Sequence, residues 1–377
     1  MTSLMHIGII GGGQLGRMLA LAGYPLGFTF RCIEPAANSP MGQVAPQILA
    51  PYDDAAGLAE LARDADVITY EFENVPVHTA RQLAQRVPVY PPPQALEVSQ
   101  DRWHEKSFFR QHDIPTPAFA QVNHAGDLAA AIEQIGGLPC VLKTRRLGYD
   151  GKGQWVLRSV ADVAAAGDEL RQQPAATGYI VEAWVPFARE LSILAVRGTT
   201  GELAFYPLTE NTHREGILRL SIVPAARAPE ALAQTYAARV LNALNYVGVL
   251  AIEFFERIDG DGHAQLIANE MAPRVHNSGH WTQDGAATSQ FENHLRAITG
   301  LPLGATDVRG GDRGHAAMVN LIGTTPAPSA ILKIPDAHLH LYGKAARPGR
   351  KLGHINMVAD TAHSLHERIV LVQAALT

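Results

Sequence analysis

Cysteine is nearly absent. Among 377 residues only Cys32 and Cys140 occur, far apart and outside any CxxC spacing. A disulfide framework and a cysteine zinc site are both excluded, which fits a reducing compartment. Charge is sparse as well: 18% of residues are charged, the formal net charge is −5, and no extended basic tract is present. A nucleic-acid partner held by counterion release is therefore not expected. No apolar run reaches the roughly 18–20 residues that span a bilayer, so no membrane partner is expected either. The opening MTSLMHIGIIGGG lacks a basic region before its apolar stretch, and glycines interrupt that stretch at once. It reads as a buried first strand, not a signal peptide. What the chain does have is apolar content, at 47%. That is ample for cores in two or three domains, and the expectation is a soluble cytoplasmic protein.

Strand and helix alternate over roughly the first 95 residues. The strand His6–Ile10 leads into GGGQLGRM, after which Leu15, Met18, Leu19 and Ala22 recur at helical spacing. A second strand, FTFRCIEP, carries Glu34 near its end. A helix with Leu58, Leu61, Ala62 and Ala65 on one face and a third strand, DVITYEFE, follow. This alternation implies right-handed crossovers and a parallel α/β sheet. Pro91, Pro92 and Pro93 are expected to close it as a stiff connector.

Beyond them, DRWHEKSFFRQHDIPTP reads as a helix stopped by Pro115 and Pro117. LPCVLKTR and GQWVLRS read as strands joined by LGYDGKG, and a helical stretch and GYIVEAWV come next. From Phe187 on, strands dominate: ELSILAVRG, LAFYPLTEN, ILRLSIVPA, VGVLAIEFF and AQLIANEMA, with one long helix at about 229–244. The end, HLHLYGKAARPGRKLGHINMV, is a strand, a basic turn and a strand. The later part is thus α+β.

Gly11, Gly13 and Gly16 fit G-x-G-x-x-G between a strand and a helix, and Glu34 stands near where a ribose-binding acid would be. Alone, this is a dinucleotide fingerprint. A tight strand-to-helix turn, or a turn that binds a monophosphate or a sugar edge, fits equally well.

A second glycine segment is more specific. Lys143 lies in the strand VLKTR, and GYDGKGQ brings Gly148, Gly151, Lys152 and Gly153. The Walker A order is missing and a strand follows, so a hairpin folded over a triphosphate is the functional reading. An ordinary hairpin with surface lysines is the structural one.

Glu253 and Glu270 lie in strands on either side of the turn DGDG, eight residues before and nine after Asp261. If the strands pair, the two acids come out roughly opposite, with Cα atoms about 4.5–5.5 Å apart. Unpaired carboxylates that close would repel. A hard cation such as Mg²⁺ bridging nucleotide phosphates resolves the conflict, with Asn269 beside it. The alternative puts one acid in and one out. Calcium binding at Asp259–Glu270 is rejected, because EF-hand position five is His263 and the glycine position is Ala264. Sixteen histidines include no HExxH, so zinc is not expected. His213 follows a strand and either contacts a nucleotide or caps a loop. Finally, Lys344, Arg347, Arg350 and Lys351 crowd into YGKAARPGRKLG, suited to a phosphate monoester or simply a solvated turn.

Taken in order, these features resemble the ATP-grasp superfamily. Within it, GGGQLGRM, TYEFENVP, GYDGKGQ, FYPLTEN, NEMAPRVHNSGHWT and RPGRKLGH look like the N5-carboxyaminoimidazole ribonucleotide synthetase family. The resemblance implies an ATP-grasp fold in three parts: a doubly wound parallel pre-ATP-grasp domain over 1–98, a small lid domain over 99–183, and an antiparallel-sheet C-terminal domain over 184–377. It implies ATP-dependent carboxylation of aminoimidazole ribonucleotide with bicarbonate through carboxyphosphate, in purine biosynthesis, by a homodimer using Mg²⁺, with Mn²⁺ as a substitute.

Residue by residue, the resemblance gives Lys143 and the segment Gly148, Tyr149, Asp150, Gly151, Lys152, Gly153 and Gln154 to the ATP phosphates, with Arg102 nearby. Glu182, Ala183, Trp184 and Val185 would meet adenine through backbone groups, Glu190 the ribose, and His213 the nucleotide pocket. Glu253 and Glu270 would ligate the metal beside Asn269. Arg274, His276 and Asn277 would surround bicarbonate and carboxyphosphate. Gln14, Leu15 and Glu73 would contact the ribonucleotide, and Lys344, Arg350 and Lys351 its 5′-phosphate. Tyr149 and Asp150 would close over the acceptor, with the Gly151–Gly153 hairpin as a lid that excludes water. Ala183 stands where relatives often carry a larger side chain. Three rival readings are an NAD-dependent oxidoreductase, a formate-dependent glycinamide ribonucleotide transformylase, and a non-catalytic module that keeps the fold.

Overall fold

A computed structural model describes residues 5–148, 153–172 and 178–376. The chain begins with β1 (His6–Ile10), α1 (Gln14–Gly23), β2 (Thr29–Ile33), β3 (Gln47–Ile48), α2 (Ala55–Ala62), β4 (Val67–Tyr70) and α3 (Val77–Ala84). The strands form a parallel sheet in the order β3–β2–β1–β4. Ile7 and Ile9 pack with Met18 and Leu19 of α1, whereas Ile10 packs with Leu58 and Leu61 of α2. Alternate residues of β1 therefore bury against opposite helical layers, so the strand is apolar from Ile7 to Ile10. The glycine turn and Glu34, Glu71 and Glu73 all follow the C-terminal ends of these strands. Open parallel sheets bind their ligands at that edge.

The prolines do not form the expected connector. Pro93 opens α4 (Pro93–Ser99), because the first position of a helix tolerates a missing N–H. Next comes α5 (Arg102–Gln111), capped by Asp101, whose carboxylate accepts from the Trp103 N–H at 3.0 Å. A second, antiparallel sheet is built from β5 (Phe119–Val122), β6 (Cys140–Thr144), β7 (Gln154–Leu157) and β8 (Tyr179–Ala183), ordered β5–β8–β6–β7 and backed by α6 (Leu128–Gln134) and α7 (Val160–Gln172).

The largest sheet has nine strands. It collects β9 (Arg189–Arg197), β10 (Leu203–Phe205), β11 (Thr209–Arg214) and β12 (Ile217–Val223). After α8 (Glu230–Ala243) it adds β13 (Gly248–Ile258) and β14 (Ala264–Ala272). α9 (Thr282–Gly285), α10 (Gln290–Thr299), β15 (His315–Ile322), α11 (Pro328–Ile331), β16 (Ala337–Leu341), β17 (Lys351–Ala359) and α12 (Ala362–Ala375) complete the chain. The order is β14–β13–β9–β11–β12–β15–β17–β16, with β10 on β9. LAFYPLTEN, expected as one strand, divides around Pro207, which has no N–H for a ladder. His213 consequently lies within β11, at a bulge, and not after a strand.

One apolar cluster joins the parallel unit to the large sheet, with Leu19 and Phe30 on one side and Val249 and Leu295 on the other. Gly23 sits at this contact. A Cβ there would fall 2.3 Å from the Phe30 ring and 2.9 Å from Leu295. Among the described residues, no helix is long and apolar enough to cross a membrane.

Candidate active site

A cavity of about 750 Å³ opens where the three sheets converge. From the second sheet, β6 presents Lys143, whose Nζ donates to Glu182 Oε2 at 2.9 Å. Arg102 reaches the base of the glycine hairpin, donating to the carbonyls of Thr144 at 2.8 Å and Gly148 at 3.2 Å. Gly148 and Gln154 line the cavity. Gly153 has φ +70°, and a Cβ on it would meet Thr144 Oγ1 at 2.7 Å, so this end of the hairpin requires glycine. Tyr149, Asp150, Gly151 and Lys152 lie outside the described residues.

Around the expected adenine segment, the N–H groups of Ala183 and Trp184 donate to Ala118 and Pro139. Any backbone hydrogen bond from these two residues to adenine therefore falls to their carbonyls. The Glu182 side chain is not part of the wall. It is buried between Lys143 and Lys106, the latter 3.6 Å away. Burial would raise its pKa, but the two ammonium groups hold it down at about 2. Trp184 lines the cavity, as do Phe187 and Phe255, whose rings stack at 4.7 Å. This makes an aromatic slot; Val185 does not line it. Deeper in, Glu190 and His213 hydrogen-bond at 2.8 Å. Burial disfavours charge on His213, yet Glu190 and Glu253 together raise its pKa.

β13 and β14 pair antiparallel with Glu253 directly opposite Glu270, and both acids line the cavity. Burial and then the Glu270 charge push Glu253 up to about 7. The pairing steps from Glu253↔Glu270 to Phe254↔Ala268, so Asn269 is an extra residue, a β-bulge. Asn269 and Glu270 consequently both face the cavity although they are neighbours in a strand. Two facing carboxylates and an amide oxygen form a hard-oxygen set that suits Mg²⁺ or Mn²⁺.

Arg274, His276 and Asn277 follow on the same wall. The Arg274 guanidinium is hydrogen-bonded to Glu73 and donates to the Val275 carbonyl at 3.1 Å. His276 sits 3.5 Å from Glu253, and burial together with Arg274 keeps it neutral. Asn277 pairs amide to amide with Asn320 at 2.7 and 3.0 Å.

At the far end, Gln14, Leu15, Glu73 and Lys351 line the cavity. Lys344 Nζ donates to Gln14 Oε1 at 2.7 Å and Gln43 Nε2 to the Gly343 carbonyl at 3.0 Å, tying the basic turn to the glycine turn. Burial and the neighbouring Arg350 lower Lys344 to about 8. Arg350 is off the cavity wall, donating to the Ala345 carbonyl at 3.1 Å.

Known proteins share this arrangement along the whole chain. Family models for a ribonucleotide synthetase preATP-grasp domain, an ATP-grasp domain and a phosphoribosylaminoimidazole carboxylase C-terminal domain match residues 4–100, 107–291 and 316–368. The N5-carboxyaminoimidazole ribonucleotide synthase of Pseudomonas aeruginosa is 52% identical over 372 residues, covering 99% of each chain. The chain belongs to the N5-carboxyaminoimidazole ribonucleotide synthase family. The crystal structure of the Thermus thermophilus synthetase superposes with a TM-score of 0.91 at 52% identity, covering 98% of each chain. The synthase of Aspergillus clavatus, solved with ADP and 5-aminoimidazole ribonucleotide, is 31% identical with a TM-score of 0.87, covering 100% of this chain and 99% of that one. Members are ATP-dependent ligases with the ATP-grasp fold and its preceding parallel domain.

Membership removes the dehydrogenase reading, and the glycine turn shows why. Glu71 accepts from the Gly13 N–H and, at 2.8 Å, from the Gly16 N–H. Glu34 accepts from the Gly12 N–H at 3.0 Å. The donors that would cradle a pyrophosphate are occupied by the protein's own carboxylates. In this chain the turn is an internal joint, and Gln14 and Leu15 just after it line the cavity. Sequence reasoning missed Glu71, and also Glu105 and Lys106 of α5, whose side chains are buried against β14.

Proposed function

We propose that the chain converts 5-aminoimidazole ribonucleotide, bicarbonate and ATP to N5-carboxyaminoimidazole ribonucleotide, ADP and phosphate, with the residues above in the following roles. What carries the reading is one cavity that joins a lysine-based nucleotide slot, an opposed acid pair and an end lined by Gln14, Leu15 and Lys351. A bicarbonate oxygen attacks the γ-phosphorus of ATP, the bond to the β-phosphate oxygen breaks, and carboxyphosphate and ADP form. The exocyclic amine of the ribonucleotide then attacks the carboxyl carbon, phosphate leaves, and the amine loses a proton.

Lys143, oriented by Glu182, would hold ATP phosphate oxygens, and Glu190 the ribose hydroxyls. Mg²⁺ bound by Glu253 and Glu270 would neutralise charge on the phosphates. Arg274, fixed by Glu73, would place bicarbonate in line and stabilise the carboxyphosphate charge. His276, kept neutral, would offer a hydrogen bond without competing for a proton. Gln14, Lys344 and Lys351 would bind the ribonucleotide. The protein is read as a cytoplasmic homodimer on the strength of the family resemblance, and sedimentation velocity tests the dimer.

The deciding experiment is ADP release measured with bicarbonate and aminoimidazole ribonucleotide added separately and together, with the carbamate product trapped before it decays. Release requiring both is the expected result. Release dependent on formate and glycinamide ribonucleotide instead would overturn the assignment.

A further inference from the structure

Glu270 and Asn269 share the cavity only because the strand bulges between them, and a bulge can slip. Two buried side chains on α5 grip this one spot. Lys106 Nζ donates to the carbonyl of Ala268 at 3.2 Å and also to the carbonyl of Asn269. Glu105 Oε1 accepts from the Met271 N–H at 2.7 Å. The two neighbours on the helix therefore bracket Glu270, one on each side of it in the chain.

The Lys106 contact is itself diagnostic. Successive carbonyls of a regular strand point to opposite sides, so one ammonium reaches two in a row only where the strand is bulged. Stability alone gives no reason for a cation there. Lys106 is 1% exposed, and a buried ion pair replaced as a whole by packed apolar side chains is often as stable or more so. Lys106 does not line the cavity, so it cannot act by touching a ligand; Glu105 does reach the wall, with its Oε1 engaged by the Met271 N–H. Its ion pair with Glu182 places it in one chain of contacts that runs from Lys143 through Glu182 to the bulge. The helix is in turn anchored by Asp101, which pairs with Arg145 at 2.7 and 2.9 Å beside the glycine hairpin.

We propose that Lys106 and Glu105 are positioning residues that lock the bulge at Asn269, so that Asn269 and Glu270 face Glu253 as one cation site. Without the lock, the strand can pass the extra residue along and turn the 269–270 side chains away from the acid opposite. A one-residue slip exchanges the faces of every side chain it passes.

This rests on the metal-site reading, and the experiment separates the two. Mn²⁺ binding to the full-length protein is measured by electron paramagnetic resonance with ADP at saturation, and near-UV circular dichroism reports folding. Residues that orient a metal ligand typically change affinity by about 10–100-fold. Lys106→Met is expected to lose about tenfold or more in Mn²⁺ affinity while aminoimidazole ribonucleotide binding stays within about twofold. Glu105→Ala should lose similarly, whereas Glu105→Gln, whose amide oxygen still accepts the Met271 N–H, should stay within about threefold of the parent. The Glu105 pair keeps the test alive if Lys106→Met fails to fold. Mn²⁺ affinity unchanged in folded Lys106→Met, or equal loss in both Glu105 variants, overturns the lock. Unchanged Mn²⁺ affinity in Glu270→Gln would instead overturn the metal site itself.

Discussion

The Glu71 carboxylate occupies the start of α1, where it accepts the Gly16 N–H at 2.8 Å and the Gly13 N–H as well. A helix N-terminus offers unpaired donors and a positive field, and here an internal anion takes both. Burial raises the Glu71 pKa, while the two backbone donors pull it down. The site is also crowded: a Cβ on Gly13 would lie 2.4 Å from Glu71 Oε1. Glu71→Ala strands the buried Gly16 N–H and the part-buried Gly13 N–H, and should cost ~1–3 kcal/mol for each one left unsatisfied. Glu71→Gln, which keeps one acceptor oxygen, should recover part of the loss. Urea denaturation of the two variants checks this, and equal stability would show that the turn holds without its plug.

Glu182 predicts a second effect, on folding and on acid stability. It is the shared counter-ion of Lys106 and Lys143, with side chains 3%, 1% and 12% exposed. Glu182→Gln leaves two ammonium groups facing a neutral amide. Removing one partner of a buried ion pair typically costs ~3–5 kcal/mol. The sign with pH follows from the depressed carboxyl. Its folded value of about 2 lies below the unfolded value near ~4.3, so its contribution is full above ~4.3 and is lost as pH falls toward 2. Thermal melts between pH 5 and 2 should therefore fall less steeply for Glu182→Gln than for the parent chain. Parallel curves would remove Glu182 from the acid transition.

These two residues mark the boundary of what the sequence makes legible. The opposition of Glu253 and Glu270 follows from counting along a hairpin, because a turn converts local spacing into a contact. Even the bulge is hinted at by the unequal arms of eight and nine residues. Glu71 had no such signal: it stands two residues before Glu73 in YEFE. Nothing local says that one acid turns back to the glycine turn while the other pairs with Arg274, 201 positions away. The segment that carries Glu182 points only to its backbone, through the expected adenine contact. Its side-chain role depends on Lys106, 76 residues earlier, arriving from a different element. Periodicity finds surfaces and hairpins; it does not find which buried charge meets which.

For the acid pair, Glu270→Gln keeps shape and removes one negative charge. With a single carboxylate left opposite an amide, the cation set is incomplete. Bicarbonate-dependent ADP formation should fall at least ~100-fold, in the range seen when charge stabilisation is withdrawn from a transition state. Ribonucleotide binding measured by calorimetry should change little, since Gln14 and Lys351 line the other end of the cavity, with Lys344 hydrogen-bonded behind Gln14. Normal ADP release by this variant would sink the metal assignment.

Lys344 separates function from stability. Its amine is lowered to about 8 by burial and by Arg350, so the free protein carries a charge there at pH 7 and loses it above 8. A phosphate monoester is gripped by the charged form only. The KM for the ribonucleotide should therefore climb as pH rises through about 8, while kcat, measured with the site filled, stays nearly level. Lys344→Met should raise KM about tenfold at pH 7, the value of one charge-assisted hydrogen bond, and should flatten the pH dependence. The effect on folding has the opposite sign. A lysine whose folded pKa lies below its unfolded value of ~10.4 opposes folding whenever it is protonated. At pH 7 the methionine variant should thus melt at the same temperature as the parent or above it, despite binding substrate less tightly. A variant that lost binding and stability together would place Lys344 in the scaffold and leave the phosphate to Lys351.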